Sequence, residues 1–410
     1  MAVKKPKRAS AHTAKGASWL DRVEPKWCWA ALAAALSVLL VQTYHRALRP
    51  GGYDFSAYLY ASKSLLAGHD PYAPSAFPYL YPLFLAFLLI PFTTLPESLL
   101  PFLWFALNVL ALFGSAVSLS RMVPAAGRTG AGRRTVVLFT LLFLLLFNVI
   151  QNNLLNGQVN FIVLYLCLLF FRELQSGRSV TASSALGAAI ALKVVPLILL
   201  FYLAARSRFR EITGAVLWAA FFCLVPYLFA GDRLWDYYAS YASHFLAPAA
   251  RPGTADIPAF YFSLSGALSN AFHGMAAWGG LRIFSALVVL LALGIVERLS
   301  RREGGGMAAA DAFCLYLAAA LLISPKSDTH HLALLFPAII LSTSSMLDNR
   351  RPQGGYPWLL IVFWALFLAA PWKPQIPFLF LSLWVMGAHL VLYGSGATDG
   401  APDTSPPEEA

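Results

Sequence analysis

The stretch VVLFTLLFLLLF at residues 136–147 decides the fold class, because no charged residue interrupts it. A second block of the same character covers Phe284–Ile295. Of the 410 residues, 59% are hydrophobic and only 12% are charged, whereas a soluble protein carries about 25% charged residues. No polar stretch between the apolar blocks is long enough to form a separate water-soluble core. The sequence therefore predicts an all-α, polytopic membrane protein with one transmembrane domain over residues 26–394.

Twelve apolar segments predict twelve membrane crossings. They lie at about 27–44, 98–119, 135–150, 158–171, 180–192, 196–205, 212–230, 282–297, 308–323, 331–346, 356–370 and 375–393. Several are shorter than the roughly 20 residues that a perpendicular helix needs, so we expect kinked, broken or re-entrant helices. Residues 79–92 are also apolar. However, Asp54 is predicted to lie outside and Arg121 inside, so the chain must cross the membrane an odd number of times between these two residues. We expect residues 79–92 to form a re-entrant or interfacial segment.

The net charge of +11 is explained by membrane topology rather than by nucleic-acid binding. Lys and Arg collect in short loops between the apolar segments, as the positive-inside rule predicts for cytoplasmic loops. These basic segments are the arm at 1–25 and residues 121–134, 172–178, 206–210, 298–302 and 350–351. Both termini are then cytoplasmic, in a plasma (inner) membrane, and we expect the arm and the tail at 395–410 to be disordered.

The four cysteines do not suggest a disulfide or zinc framework. Cys28, Cys167, Cys223 and Cys314 lie in or beside apolar segments and lack metal-ligand spacing, so we expect them to be packing residues. We predict no metal site and no cofactor.

The remaining polar segments all fall on the outer side. They include a first outer loop at 47–78 with an interfacial helix, a long aromatic-rich loop at 231–281, and short polar motifs between apolar segments. Polar groups at membrane depth are costly and usually face a cavity or a partner. We expect one external cavity to gather the following residues: Asp54, Tyr58, Gln158, Asn160, Lys193, Lys326, His330 and His331.

Asp54 follows the first span in a Gly-Gly-Tyr-Asp turn, and two roles are open to it. A carboxylate there suits a general base that takes a proton from a sugar hydroxyl. The same position suits an ordinary helix N-cap.

Lys193 interrupts a long apolar segment next to Pro196. A fixed cation at a break between two helices suits a phosphate, although a lysine snorkelling to the interface would have the same pattern.

His330 and His331 open a helix. Their side chains should diverge by about 100°, so we expect one to line the cavity while the other packs or caps. Together with Lys193 and Lys326, they are candidates for binding a donor phosphate or sugar.

Gln158 and Asn160 lie at a helix start in the motif NGQVN. Their amides suit sugar hydroxyls, although polar residues are also common in turns between spans. We assign both, with Tyr58 of the first outer loop, to substrate binding.

Five motifs, taken in chain order, resemble those of glycosyltransferase family 87, also called the DUF2029 family. This is a family of polyprenyl-phosphate-mannose-dependent α-1,2-mannosyltransferases. The motifs are YDFSAYLYASKSLLAGHDPY (53–72), YPL (81–83), NGQVN (156–160), LKVVP (192–196) and SPKSDTHH (324–331). The resemblance implies a GT-C fold with surface helices in the first outer loop. It also implies an external active site and inverting sugar transfer from a polyprenyl phosphate to a lipid or glycan acceptor. It makes Asp54 the candidate base and places the paired histidines near the donor phosphate, and Lys193 matches the lysine of the family's Lys-x-x-Pro segment.

The sequence departs from the family pattern at three places. Asp328 stands where the family often has tryptophan, Leu83 replaces the second proline of Tyr-Pro-Pro, and an Asn-Gln-Ser motif is not evident around residues 262–266. These changes bear on the sugar and the acceptor more than on the reaction. A transporter or flippase for a lipid-linked or anionic substrate remains an alternative, since broken helices and a buried lysine also suit transport. The second alternative is a non-catalytic assembly protein.

Overall fold

The computed structural model describes residues 24–48, 53–73, 78–122, 131–243, 262–272, 280–302, 308–324, 327–347, 358–369 and 375–393. Regular structure within these ranges is helical, without a strand, which confirms the all-α prediction for the described part of the chain. Most of the basic arm and the whole tail at 395–410, both expected to be disordered, lie outside the described residues.

The helices follow the apolar segments closely. In chain order they are α1 (Pro25–Ala47), α2 (Asp54–Ala67), α3 (Leu83–Leu88), α4 (Leu100–Met122), α5 (Ala131–Leu145), α6 (Phe147–Leu155), α7 (Asn160–Gln175), α8 (Ser179–Leu192), α9 (Leu199–Ala205), α10 (Phe209–Leu224), α11 (Tyr227–Ala230), α12 (Arg233–Tyr241), α13 (Leu264–Ala271), α14 (Leu281–Arg302), α15 (Ala309–Ile323), α16 (Phe336–Leu347), α17 (Trp358–Ala369) and α18 (Gln375–Tyr393). Short 3₁₀ helices cover Ile90–Thr94, Val195–Ile198 and Thr329–Leu335.

The described residues contain three helices with the length and apolar composition of a membrane span: Pro25–Ala47, Leu100–Met122 and Phe209–Ala230. A fourth candidate span is the pair Val136–Leu145 and Phe147–Leu155, which is bent by 69° at its break. Several further apolar helices of 10–17 residues accompany them. The chain is therefore a helical membrane protein with broken helices, as expected, while the count of twelve crossings stays a prediction.

The apolar segment at 79–92 forms only short helical pieces. Pro82 is the N-cap of α3, which has only 6 residues and runs directly into the 3₁₀ helix Ile90–Thr94. Its position relative to the membrane stays a prediction.

The first outer loop contains the predicted helix, α2, which packs on the protein itself. Phe55 and Leu65 are buried, whereas Leu66 is exposed. The Ser62 hydroxyl, also buried, donates to the Ala86 carbonyl of α3 over 2.7 Å. Because the buried side of α2 faces the core, the helix holds its first residue, Asp54, firmly against the bundle.

Helices α7 and α8 form an antiparallel pair whose two ends carry different polar groups. At one end, the Lys193 ammonium donates to the Asn160 amide oxygen over 2.6 Å. At the other end, the buried Glu173 carboxylate pairs with Arg172 and Arg178. A helix of 16 residues is about 24 Å long, so these two groups are well separated.

Helix α8 also packs closely on α10, through Gly187. A Cβ atom added at Gly187 would lie 2.6 Å from Trp218 Cβ and 2.8 Å from the Ala219 backbone nitrogen. Small residues allow membrane helices to approach this closely. The contact fixes α8 between α7 and α10, and with α8 the position of Lys193 at its end.

The cysteines agree with their predicted role as packing residues. All four are free; Cys28, Cys167 and Cys314 are buried, and Cys223 is partly buried.

Candidate active site

A cavity of about 420 Å³ lies at the end of the bundle that holds Lys193. Its volume falls in the range of small-molecule sites. The polar and aromatic side chains that line it come from six separate segments: Asp54, Tyr58, Tyr81, Gln158, Lys193, Tyr241, Ser324, Asp328, His330 and His331. Six of the eight predicted site residues therefore line one cavity.

Two predicted site residues do not line the cavity. Asn160 is buried behind its wall, where it binds Lys193, and Lys326 lies outside the described residues. The part of the chain that the structure describes contains no group of three or more His, Cys, Asp and Glu residues that could hold a metal ion.

Asp54 is the first residue of α2, but it is not the N-cap. Tyr53 occupies the N-cap position and makes no side-chain cap bond, so the capping interpretation of Asp54 was wrong. Burial raises the pKa of Asp54 from its usual 3.8 to about 6, against the opposing attraction of the Lys193 ammonium. The carboxylate is thus available to accept a proton near neutral pH.

The turn at 156–157 fixes the start of α2. The Asp54 N–H donates to the Asn156 carbonyl over 2.7 Å, and the Trp104 indole N–H donates to the Gly157 carbonyl over 2.8 Å. Gly157 has φ 63°, and a Cβ there would lie 2.7 Å from a ring carbon of Tyr53. Only glycine suits this conformation and this close contact.

Lys193 is buried rather than snorkelling. It follows α8 in an extended conformation, and its ammonium lies 5.4 Å from the centroid of the Tyr81 ring. The bond to Asn160 satisfies one of its three donors. Burial lowers the pKa of Lys193 to about 7, against the opposing attraction of the Asp54 carboxylate. In its charged form the lysine faces the cavity with donor capacity to spare for an anion.

The two histidines lie together, which corrects the expectation that they diverge. Their ring centroids are 4.2 Å apart, and both rings line the cavity. His331 Nδ1 accepts the Asp328 backbone N–H over 3.0 Å, so a neutral His331 carries its proton on Nε2. His331 thus caps the 3₁₀ helix Thr329–Leu335 and contributes an N–H donor to the site.

The amide of Gln158 and the aromatic ring of Tyr58 form one side of the cavity. Gln158 Oε1 accepts the Tyr81 hydroxyl over 3.2 Å, and the Tyr58 and Tyr81 rings meet edge to face at 5.0 Å. Both residues are buried except where they meet the cavity. This wall suits the polar and apolar faces of a sugar ring.

The sequence profile of glycosyltransferase family 87 matches residues 79–325, more than half of the chain. The chain belongs to glycosyltransferase family 87. Two similar proteins carry the same name, polyprenol-phosphate-mannose-dependent alpha-(1-2)-phosphatidylinositol pentamannoside mannosyltransferase. The one from Mycobacterium tuberculosis is 25% identical over 382 residues, or 89% of this chain and 82% of the relative. The one from Mycolicibacterium smegmatis is 26% identical over 327 residues, or 78% of this chain and 73% of the relative.

This family 87 member is an enzyme, a glycosyltransferase, and the cavity is its candidate active site. Asp54 and the two histidines lie outside the matched range, whereas Gln158 and Lys193 lie within it. The grouping of all five around the cavity comes from the structure.

Sequence reasoning missed four polar or aromatic cavity residues of the family 87 chain. Tyr81 and Ser324 had a signal, because they lie in motifs that carried the family resemblance. Asp328 was noted only as a departure from the family pattern. Tyr241 had no signal of its own, since it is one of many aromatic residues in the long outer loop.

Proposed function

We propose that the enzyme transfers mannose from a polyprenyl-phosphate donor to a hydroxyl of a lipid or glycan acceptor, with inversion and without a metal. The arrangement of the cavity carries this proposal: a carboxylate with a raised pKa shares it with a buried cation and two imidazoles. The names of the two relatives support the donor class and the choice of mannose.

The proposed reaction is a single displacement. Asp54 accepts the proton of the acceptor hydroxyl, and the hydroxyl oxygen attacks the anomeric carbon of the donor. The bond from that carbon to the phosphate oxygen breaks, and polyprenyl phosphate leaves with the electron pair. The phosphate gains a negative charge as it changes from a diester to a monoester. Lys193 and the Nε2–H of His331 stabilise that charge.

Detergent-purified protein tests the reaction class, because transport has no readout without a membrane. The protein is incubated with labelled polyprenyl-phosphate-mannose, or with a labelled nucleotide-mannose, together with a lipid extract and a chelator. The proposal predicts that label enters the lipid or glycan fraction from the polyprenyl donor alone. Transfer from the nucleotide sugar alone would contradict it.

The transfer rate should depend on the ionisation of Asp54. Burial raises its pKa to about 6, so the carboxylate is largely protonated at pH 5, where an ordinary aspartate is ionised. Since a general base acts in its ionised form, we expect kcat/KM to rise with pH through about 6. Burial lowers the pKa of Lys193 to about 7, so kcat/KM should fall again at higher pH as this lysine loses its charge. Rates measured from pH 4.5 to 8.5, after checking that the protein survives each pH, test this. A profile that stays flat down to pH 4.5 would contradict the assignment.

We further propose that the cavity opens to the outer side of the plasma membrane, with twelve crossings and both termini in the cytoplasm. Two contacts at the edges of segments predicted to be cytoplasmic (172–178, 206–210 and 298–302) support placing these segments on one side. Arg206 pairs with Glu297 at 3.0 Å, and the Ser179 hydroxyl donates to Glu211 over 2.8 Å. Glu173, with its two arginine partners, lies at the end of α7 opposite the cavity.

Cysteine labelling tests the orientation. Lys63 lies on α2 in the first outer loop, and Arg208 lies in the turn before α10; both are exposed. In intact cells, a membrane-impermeant maleimide should label Lys63→Cys but reach Arg208→Cys only after permeabilisation. The reverse pattern would place the cavity on the cytoplasmic side.

A further inference from the structure

Asp328 brings a second carboxylate into the cavity, which the proposed displacement does not use. Its side chain is 38% exposed and lies among the lining residues. The Oδ1 atom accepts the Thr329 backbone N–H, while Oδ2 lies 3.8 Å from His330 Nδ1, beyond hydrogen-bond distance. The side chain also accepts the His331 backbone N–H in the capping box, so the carboxylate is held in place at the cavity wall.

The segment that carries Asp328 is rigidly held. The Asp328 backbone N–H donates to His331 Nδ1. The His330 carbonyl accepts hydrogen bonds from the side-chain amides of Asn153 and Asn160, over 2.9 and 3.2 Å. A polar group held by such bonds can select a ligand, because it is already oriented before binding.

The position of Asp328 relates it to the donor sugar. In the proposed displacement, the anomeric carbon lies between the acceptor oxygen at Asp54 and the leaving phosphate at Lys193 and His331. Asp328 lies three residues before His331 in the same short segment, and its charge also raises the pKa of Asp54, so its carboxylate lies near both halves of the cavity. In this arrangement we place the sugar ring, which joins the two halves, beside Asp328.

We propose that Asp328 is a specificity-determining residue that recognises the donor sugar by accepting a hydrogen bond from one of its ring hydroxyls. This inference rests on the proposed function. An ionised carboxylate is an acceptor only, so it favours a sugar with a hydroxyl at that position and disfavours one without it. Hydrogen bonds to charged groups are stronger than neutral ones, and we expect a selectivity of roughly 10- to 100-fold.

Deoxy-sugar donors test this directly. Polyprenyl-phosphate-mannose and its 2-, 4- and 6-deoxy analogues are compared in the wild type and in Asp328→Asn, by kcat/KM and by donor binding. Asparagine keeps an oxygen for the Thr329 N–H but loses the charge. The proposal predicts that one deoxy donor is disfavoured by the wild type and that this penalty shrinks about tenfold or more in Asp328→Asn.

Two further variants make the result interpretable. Asp328→Ser also keeps a helix cap and should lose the same discrimination. Asp232→Asn makes the same chemical change at a carboxylate that binds the Tyr227 hydroxyl outside the cavity, and it should keep the wild-type pattern.

The outcomes separate this inference from the proposed function. Equal deoxy penalties in the wild type and in Asp328→Asn, in turnover or in binding, would overturn the recognition role and leave Asp328 as a helix cap. An equal loss with every donor would also overturn it, because that pattern belongs to a base. Failure of the wild type to transfer any sugar would contradict the proposed function, while the binding ratios would still decide the role of Asp328.

Discussion

Asp54→Asn is expected to lower sugar transfer by roughly 10²- to 10⁴-fold, the usual contribution of a general base. Asparagine has the size of aspartate but cannot take the proton of the acceptor hydroxyl. The effect should appear in kcat, since donor binding depends on groups across the cavity. It is measured as the initial rate of label transfer under saturating donor.

Unfolding should not explain this loss. Burial raises the pKa of Asp54, so its ionisation at neutral pH costs folding free energy, and that cost is absent below the unfolded-state pKa. A neutral asparagine avoids the cost, and the melting temperature of the variant should equal or exceed that of the wild type at pH 7. Asp232→Asn serves as the matched control and should keep full activity. A variant Asp54→Asn that keeps a tenth or more of the wild-type rate would rule out Asp54 as the base.

Lys193→Met is expected to lower kcat by about 10²- to 10³-fold, as the loss of one preorganised group that stabilises developing charge usually does. The methionine fills similar space without a cation. Because the phosphate gains its second charge only as it leaves, kcat should fall more than KM rises. Lys63→Met, at an exposed lysine paired with Glu97 at 3.1 Å, is the control and should be unaffected.

Lys193→Met should also shift the pH dependence of the transfer rate. The Lys193 charge lowers the pKa of Asp54, so its removal raises that pKa further and shifts the acid limb of the remaining activity to higher pH. A lysine that only packs between helices would leave the limb where it is. A rise in KM with unchanged kcat would also contradict the role in leaving-group stabilisation.

The helices were predictable because their signal is local. Many of the apolar segments become helices with boundaries a few residues from those predicted; the segment at 98–119, for example, is α4 (Leu100–Met122). The sharp bend between α5 and α6 could be expected only in general terms, since the length of a block does not say where its axis turns.

The sequence predicted most of the residues at the site, but it predicted less well which interactions each of them makes. Gln158 and Asn160 stand two residues apart, yet one lines the cavity and the other holds Lys193 from behind. The cap interpretation of Asp54, one of two left open, failed because α2 begins one residue earlier than expected, at a turn held by the carbonyl of Asn156, about a hundred positions away. Contacts of this kind depend on the packing of distant helices.

The pair of histidines shows the same limit. Helical periodicity predicted diverging side chains, but the bond from the Asp328 N–H turns the His331 ring back along the chain and beside His330. Local hydrogen bonding at a 3₁₀ helix start overrides the periodicity there.

The most direct test of the account is the anomeric configuration of the product. Purified wild-type protein is given a polyprenyl-phosphate-mannose of known configuration, labelled with ¹³C at the anomeric carbon, and the new glycosidic bond is read by NMR. A single displacement with Asp54 as base predicts one product of inverted configuration, with one polyprenyl phosphate released for each sugar transferred. Retention of configuration, or the absence of product from any polyprenyl-phosphate sugar, would contradict the account.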